Sequence, residues 1–271
     1  MPVIEKSASH PPIAAPTAWQ GEYLFLIKHL IAKDFRIRYR NMSLGVFWSL
    51  LNPLVMMGVL WFIFTRVFPN NTIPNFAVFA LCGLAPYNFF SLGWVTGTTS
   101  LVENSHLIKK VPVPRIIIPT ATVLGNISQL AAQILLLLAM VIGSGYGINV
   151  YWIWLLYIWG WLIVFTLGLA LVTSALNVYI RDIRYVVESA NLVLFWLVPI
   201  FYPFRMIAPA YREIYRLNPI AAVVLGSRNV LLEATPPPST ILWKLPIVSL
   251  ATLAVGVALF QRLQKGFYNH L

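Results

Sequence analysis

Charged residues are scarce in this sequence of 271 amino acids. Asp, Glu, Lys and Arg make up 10% of it, against about 25% in soluble domains, while 59% of its residues are hydrophobic. The mean hydropathy is +0.77. A water-soluble globular fold is therefore excluded as the main architecture. The single cysteine, Cys82, also excludes an intrachain disulfide.

Signatures of catalysis and nucleotide binding are also missing. The pattern G-x-x-x-x-G-K-[ST], whose backbone amides hold nucleotide phosphates, does not occur. The four histidines are scattered without H-x-x-H or H-E-x-x-H spacing, which disfavours a metal site. We therefore predict a chain that is not an enzyme and holds no cofactor, so that any ATP and Mg must bind to a separate subunit.

Acidic residues are lacking inside the long apolar runs. Ion-coupled carriers usually place Asp, Glu or Lys at membrane depth to hold the coupling ion. The nearest exception is Glu188, close to the inner end of one run, where either a headgroup-level position or a relay role fits. This scarcity disfavours ion coupling and favours energy supplied by a partner.

Long uncharged runs are what the sequence does contain. A membrane-spanning helix needs about 20 mostly apolar residues, and the few charges and glycine or proline turns divide the runs into such lengths. They predict an all-α polytopic membrane protein with one transmembrane domain over residues 20–271. Its six transmembrane helices are expected at about 44–65, 76–100, 116–142, 151–178, 185–203 and 245–261.

The segment before the first span has two parts. Residues 1–19 are rich in proline and are expected to form a disordered cytoplasmic tail. Residues 22–40 carry apolar side chains at i, i+3, i+4, i+7 and i+8, which is typical of an amphipathic interfacial helix. The stretch Phe35–Arg40 alternates with period two, which predicts that this helix ends or bends there.

Two further segments lie between spans. Residues 101–110 form a short amphipathic stretch, which fits either a cytoplasmic coupling helix that docks on a partner or an ordinary basic loop. Residues 204–244 are interrupted by prolines and contain an apolar stretch too short to span a membrane. They predict short outer gate helices before the last span.

The distribution of Lys and Arg predicts the orientation. Thirteen of the 19 lie before the first span, between the second and third, between the fourth and fifth, or after the sixth, which places both termini in the cytoplasm. Because the basic residues are dispersed, the net charge of +11 indicates contact with membrane lipids rather than nucleic acid. In the outer segment, interfacial anchoring or contact with phosphate or acidic sugars is expected of Arg205, Arg212, Arg216 and Arg228.

Aromatic residues amount to 14% of the chain and form clusters. Those that follow the glycine loop 143–149 are typical of a belt at the membrane interface. The clusters of the second and fifth spans fit either such a belt or a stacking track for sugar rings. The candidates for a glycan path are Tyr87, Phe89, Phe90, Trp94, Phe195, Trp196, Phe201 and Tyr202.

Several short motifs occur together in one order along the chain. They are Arg38-Tyr-Arg40, Leu44-Gly45, Trp48, Leu51-Asn-Pro53, Gly83-Leu-Ala-Pro-Tyr-Asn-Phe-Phe-Ser91, Ser100-Leu-Val-Glu-Asn104, Leu107-Ile-Lys-Lys110, Pro114-Arg-Ile-Ile-Ile-Pro119, Arg181-Asp-Ile183, Pro199-Ile-Phe-Tyr-Pro203 and Leu217-Asn-Pro219. In this combination the chain, from about Tyr23 to Gln264, resembles the permease subunit of ABC-2-type polysaccharide exporters. That family moves O-antigen, teichoic acid and capsule-type glycans.

The resemblance implies an assembly and a set of roles. It implies a homodimer that carries two nucleotide-binding ATPase subunits and a central path for a lipid-linked polysaccharide. It makes 101–110 the coupling helix and 204–244 the gate segment. The residues expected to couple to the ATPase are Leu101, Glu103, Asn104, His106, Leu107, Lys109, Lys110, Arg181 and Asp182.

These observations together predict a function. The chain is expected to be the permease subunit of an ATP-driven exporter in the bacterial inner membrane, with a polyprenyl-pyrophosphate-linked glycan such as O-antigen as its cargo. Arg36, Arg38 and Arg40 would attract the pyrophosphate at the cytoplasmic face. The alternatives are an ABC-2 exporter of a drug, haem or lipid, and a membrane-embedded enzyme of glycan or lipid synthesis.

Overall fold

A computed structural model describes residues 22–39, 73–110 and 113–270, together with 51, 54–56, 58, 59 and 62–67. The predicted tail, most of the first predicted span and Arg40 lie outside the described residues. Within the described ranges the regular structure is helical and contains no strand.

Eleven α-helices are described here in chain order. They are α1 (Tyr23–Tyr39), α2 (Phe76–Glu103), α3 (Ser105–Lys110), α4 (Ile117–Gly125), α5 (Ile127–Gly143), α6 (Ile153–Tyr179), α7 (Ile183–Leu197), α8 (Pro209–Leu217), α9 (Pro219–Leu231), α10 (Ser239–Leu263) and α11 (Phe267–His270). A π-helical turn at Ile63–Val67 and three short 3₁₀ turns, Val150–Trp152, Phe204–Met206 and Gln264–Gly266, accompany them.

Four helical segments are long and apolar enough to cross a membrane. They are Phe76–Glu103, Ile117–Gly143, Val150–Tyr179 and Ser239–Gly266. At 1.5 Å per residue each reaches about 40 Å, more than the hydrocarbon thickness of about 30 Å. They coincide with the second, third, fourth and sixth predicted spans, so the chain is an all-helical membrane protein. The count of six spans stays a prediction.

Three predicted boundaries differ from the structure. The fifth predicted span, 185–203, is the 15-residue helix α7, which ends at Leu197 because Pro199 disfavours helical backbone in the residue before it. The last span was expected to begin after Lys244, yet α10 already begins at Ser239 and includes that lysine. A lysine near a helix end can extend its amine along the helix toward the interface, so its charge doesn't end the helix. The predicted gate segment therefore ends before Ser239.

The third predicted span consists of two helices. α4 ends at Gly125 and α5 begins at Ile127, with Asn126 between them. The side chain of Asn126 is buried, and its Nδ2 donates a hydrogen bond to Thr96 Oγ1 on α2 at 3.0 Å. The break is therefore held against α2 by a polar contact inside the bundle.

α2 forms the centre of the molecule. It packs against α4, α5, α6, α7 and α9, and most of its side chains are buried. α9 is likewise buried between α2 and α6, and it begins where Asn218 Oδ1 accepts a hydrogen bond from the amide of Ile220. The proline at its first turn, Pro219, fits this start because that position needs no amide donor.

α6 and α10 lie side by side along most of their length. Three hydrogen bonds join them, from Tyr157 Oη, Ser249 Oγ and Tyr179 Oη to backbone carbonyls of the other helix. At their closest approach a Cβ added to Gly256 would lie 2.5 Å from the carbonyl oxygen of Gly168. Small residues at this point thus allow backbone contact, as is common between membrane helices.

α1 is helical from Tyr23 to Tyr39, so its last described residue falls within Phe35–Arg40, and the predicted end or bend there stays a prediction because Arg40 lies outside the described residues. Its apolar stripe is not left facing lipid. Leu30 is buried against Ile117 and Ala121 of α4, with Leu26, Ile27 and Ile31 packed beside it. Tertiary packing of this stripe against α4 stabilises the first half of α1.

Candidate functional site

The predicted coupling segment lies at the end of α2. Leu101 and Glu103 belong to α2, and only Ser105–Lys110 form the separate helix α3, so the predicted range 101–110 is too long at its start. Asn104 makes the turn between the two helices, and both its amide and its side-chain Nδ2 donate to the carbonyl of Ser100, the latter at 2.9 Å. α3 is therefore attached to α2 through one residue.

One side of α3 is packed and the other is exposed. Ile108 is buried in a cluster with Leu101, Val178 of α6 and Phe260 of α10, and Leu107 contacts the α1–α4 cluster. The exposed residues at this turn are Glu103, His106, Lys109 and Lys110. A short helix seated by its apolar side thus presents a largely basic surface.

The α6–α7 turn lies at the same end of the molecule. It carries Arg181 and Asp182, both exposed, next to Val178 of the cluster that holds Ile108. The guanidinium of Arg181 donates to the carbonyl of His270 in α11 at 3.2 Å. The structure therefore brings the two predicted coupling loops to one end, together with the carboxyl-terminal helix.

A link between α1 and the coupling turn was not predicted from the sequence. Lys33 Nζ donates a hydrogen bond of 2.7 Å to Asn104 Oδ1 and lies 3.3 Å from the carboxylate of Asp34. The only sequence signal is that Lys33 belongs to the polar side of an amphipathic helix. Its partner, Asn104, lies 71 positions away along the chain, so only the folded structure brings the two side chains together.

The predicted entry arginines are described only in part. The side chain of Arg36 is exposed on α1. Arg38 lies within α1, but its side chain and all of Arg40 lie outside the described residues. Their role at the headgroup of the cargo stays a prediction.

The predicted glycan-path aromatics do meet, between α2 and α7. Tyr87 and Phe195 have ring centroids 5.3 Å apart, and Phe195 lies 5.5 Å from Phe201 and 5.4 Å from Trp196. On α2, Phe90 lies 5.4 Å from Trp94. Because Tyr87 also lies 6.1 Å from Phe90, these six rings form one continuous aromatic cluster, and no ring contact found among the described residues joins Phe89 or Tyr202 to it.

Burial divides the predicted path residues in two. Tyr87, Phe89, Phe90 and Trp94 are buried inside the single subunit, whereas Trp196 is 65% exposed. Phe195, Phe201 and Tyr202 lie between these extremes. In this arrangement a molecule passing along the surface would meet the α7 end of the cluster and not the α2 end.

Polar atoms without partners lie in the same region. The side-chain amide of Asn191 on α7 is buried, and neither its oxygen nor its nitrogen has a hydrogen-bond partner among the described residues. The same holds for Trp94 Nε1. Tyr87 Oη donates to the backbone carbonyl of Asn191 at 2.5 Å, which joins α2 to α7. Buried donors and acceptors without partners are uncommon in folded proteins, so these atoms set the α2–α7 contact apart from the rest of the bundle.

Arg228 does not lie at the interface as expected. Its side chain is 5% exposed, and its guanidinium donates to the carbonyls of Pro199 at 2.6 Å, Ile200 at 2.5 Å and Phe79 at 3.3 Å. The charge also lies 3.5 Å from the centroid of the Phe79 ring. Arg228 thus joins α9, α2 and the turn after α7. The sequence signal was a lone arginine inside the apolar helix 219–231.

Comparisons with known proteins agree with this architecture. Residues 25–232 match the family model described as ABC-2 type transporter. An O-antigen export system permease protein RfbA of Klebsiella pneumoniae is 30% identical over 79% of this chain and 83% of its own length. The protein of the same name from Myxococcus xanthus is 30% identical over 91% and 95%. The polysialic acid transport protein KpsM of Escherichia coli is 25% identical over 87% and 92%.

Proposed function

Because the chain belongs to the ABC-2 type transporter family, we propose that it is the membrane-spanning permease subunit of an ATP-driven polysaccharide exporter. The cargo is a polyprenyl-pyrophosphate-linked glycan of the O-antigen class, exported across the bacterial inner membrane. Two copies of the chain form the path, and two ATPase subunits bind ATP and Mg. Relatives whose names refer to O-antigen export and polysialic acid transport support the cargo class.

The observation that supports an ATPase partner is the geometry of α3. It is a six-residue helix whose apolar side is fixed against α2, α6 and α10 while Lys109 and Lys110 are exposed. A partner that pushes on this helix acts on α2 through Asn104 and on α1 through the Lys33 hydrogen bond. The push would reach the helix that carries the aromatic cluster.

The contact between α2 and α7 supports a path for the cargo between these two helices. A movement of α2 relative to α7 would separate Tyr87 from Asn191 and expose aromatic faces together with their unmatched polar atoms. A sugar ring has an apolar face that can stack on the aromatic rings, and hydroxyl groups that can form hydrogen bonds with the unmatched polar atoms. Arg36 on the cytoplasmic side would attract the pyrophosphate before this step.

Co-purification tests the proposal. The permease is expressed with the ATPase subunit, and a Lys109→Glu, Lys110→Glu double variant is compared with a Lys28→Glu, Lys265→Glu double variant. Both variants reverse two exposed charges, but only the first alters α3. We expect a stoichiometric complex with the parent chain and the control, and loss of the complex and of surface polysaccharide with the α3 variant.

Two results would contradict the proposal. If no ATPase co-purifies and none alters export in cells, the energy source is wrong. If the complex forms but its ATPase is stimulated by small drugs or haem and not by a lipid-linked glycan, the cargo class is wrong.

A further inference from the structure

A cavity of about 550 Å³ lies at the end of the molecule opposite α3. It is bounded by α9, the first turns of α10, the start of α2 and the loop before α6, with Ile73, Phe79 and Tyr146 among its lining residues. α2 contains 28 residues, so about 42 Å of helix separates this end from the coupling turn. The cavity is thus distinct from the coupling surface, and none of the rings of the α2–α7 aromatic cluster is among its lining residues.

The cavity is basic. Arg205, Arg228 and Lys244 line it, against one carboxylate, Glu233, which accepts a hydrogen bond of 2.7 Å from Asn229. Neither Arg228 nor Lys244 takes part in the ion pairs found among the described residues, which join Lys33 to Asp34 and Arg184 to Glu188. Positive charge between low-dielectric walls concentrates anions.

Arg228 gives the cavity a fixed charge. Three carbonyl oxygens orient its guanidinium, but carbonyl dipoles offset only part of a full buried charge. Its Nε is buried without a hydrogen-bond partner among the described residues. An anion that enters the cavity would therefore gain from a charge that the fold has already desolvated and oriented.

Apolar side chains form much of the remaining wall. Leu225, Leu232 and Ile241 line the cavity beside Phe79, while Lys244 lies near the start of α10. A cavity of this size is within the range of ligand pockets, about 300–1,000 Å³. The combination of cationic lining residues and an apolar wall fits an amphiphile with an anionic head better than a free ion.

We propose that this cavity binds the phosphate group of an amphiphilic lipid, with Arg228 and Lys244 as its cationic contacts. The phosphate belongs either to a membrane phospholipid or to a polyprenyl pyrophosphate, since both present the same chemistry. Arginine and lysine are the side chains that bind phosphate through charge-assisted hydrogen bonds. The site would hold a lipid headgroup at the face away from the ATPase.

Binding to the purified full-length permease in detergent tests this site. The probes are short-chain phosphatidylglycerol, farnesyl pyrophosphate and, as a phosphate-free control, dioctanoylglycerol. The concentration dependence of the rise in melting temperature gives an apparent Kd. We expect both phosphate probes to raise the melting temperature and dioctanoylglycerol to leave it unchanged.

Variants then locate the site. Lys244→Gln should weaken phosphate binding about tenfold, the loss expected for one hydrogen bond to a charged group. Lys244→Arg should restore it, which separates loss of charge from damage to α10. Arg66→Gln is the matched control, because it removes an exposed cation that is not among the lining residues.

The outcomes also separate the two sources. If Lys244→Gln weakens the binding of farnesyl pyrophosphate only, the site is assigned to the cargo lipid. If it weakens the binding of phosphatidylglycerol only, the site is assigned to a membrane phospholipid. Equal binding by Lys244→Gln and the parent chain, or equal binding of dioctanoylglycerol, would overturn the inference. The assay uses no ATP and no export, so its failure would leave the proposed function unaffected.

Discussion

Two glycines determine how closely α6 and α10 approach. A methyl group on Gly256 would meet the backbone of Gly168, which cannot rotate away. We expect Gly256→Ala to destabilise the permease by about 1–3 kcal/mol, because the helices must separate to admit the methyl group. Thermal unfolding in detergent measures this. Gly160→Ala is the control, since no atom lies within 4 Å of its added Cβ, and it should be neutral or stabilising by up to about 1 kcal/mol.

The hydrogen bond between Lys33 and Asn104 is a second feature at the scale of single residues. We expect Lys33→Met to weaken coupling, because α1 would no longer be tied to the turn before α3. In proteoliposomes that contain the ATPase subunit, glycan transported per ATP hydrolysed should fall several-fold, while ATP hydrolysis itself persists.

The control for that experiment is Lys28→Met, which removes an exposed lysine from the same helix. An unchanged ratio of transport to hydrolysis in Lys33→Met would show that the hydrogen bond has no part in coupling. Asn104→Ala should lower the ratio at least as far as Lys33→Met, because it removes this hydrogen bond and also the one from Asn104 Nδ2 to the carbonyl of Ser100.

At the scale of elements, the α2–α7 contact includes a buried polar side chain to which no described residue forms a hydrogen bond. Replacing Asn191 with Leu removes a buried amide without partners among the described residues. We expect Asn191→Leu to raise stability by about 1–2 kcal/mol and to lower glycan export. Melting temperature and surface polysaccharide are the two measurements.

Asn177→Leu is the matched control. Asn177 is also a buried asparagine, and its Oδ1 likewise has no hydrogen-bond partner among the described residues, but its Nδ2 donates to the carbonyl of Thr98 at 3.2 Å. Its replacement should destabilise the protein, because that carbonyl loses its donor. If both substitutions destabilise equally, or if Asn191→Leu leaves export intact, the unmatched amide does not serve the cargo.

Sequence alone predicts the helices whose pattern lies in one contiguous stretch of residues. α2, α6 and α10 each contain a long uncharged run, and a run of about 20 apolar residues has few alternatives to a spanning helix. The start of α3 was misplaced because Asn104 turns the chain with help from Lys33, 71 positions away. Arg228 was misassigned for the same reason, since its three acceptors lie 28, 29 and 149 positions from it.

At the scale of the whole molecule, the two ends have different chemistry. One end carries α3, the α6–α7 turn and α11, and the other carries the cavity with Arg228 and Lys244. The Lys and Arg distribution predicts that the α3 end is cytoplasmic. Under the proposed function, this orientation places the exposed side of α3 where the ATPase subunit would bind.

The orientation of the chain in the membrane can be measured by labelling introduced cysteines, because the natural cysteine should not react. Cys82 is 0% exposed, so a membrane-impermeant maleimide should not label the parent chain. Ser144→Cys and Ser105→Cys introduce near-isosteric thiols at opposite ends of the spanning helices, and both serines are partly exposed. We expect Ser144→Cys to be labelled in intact spheroplasts, and Ser105→Cys only after permeabilisation. The reverse pattern would place α3 on the outer face, where it could not meet an ATPase, and the coupling role of Lys109 and Lys110 would have to be abandoned.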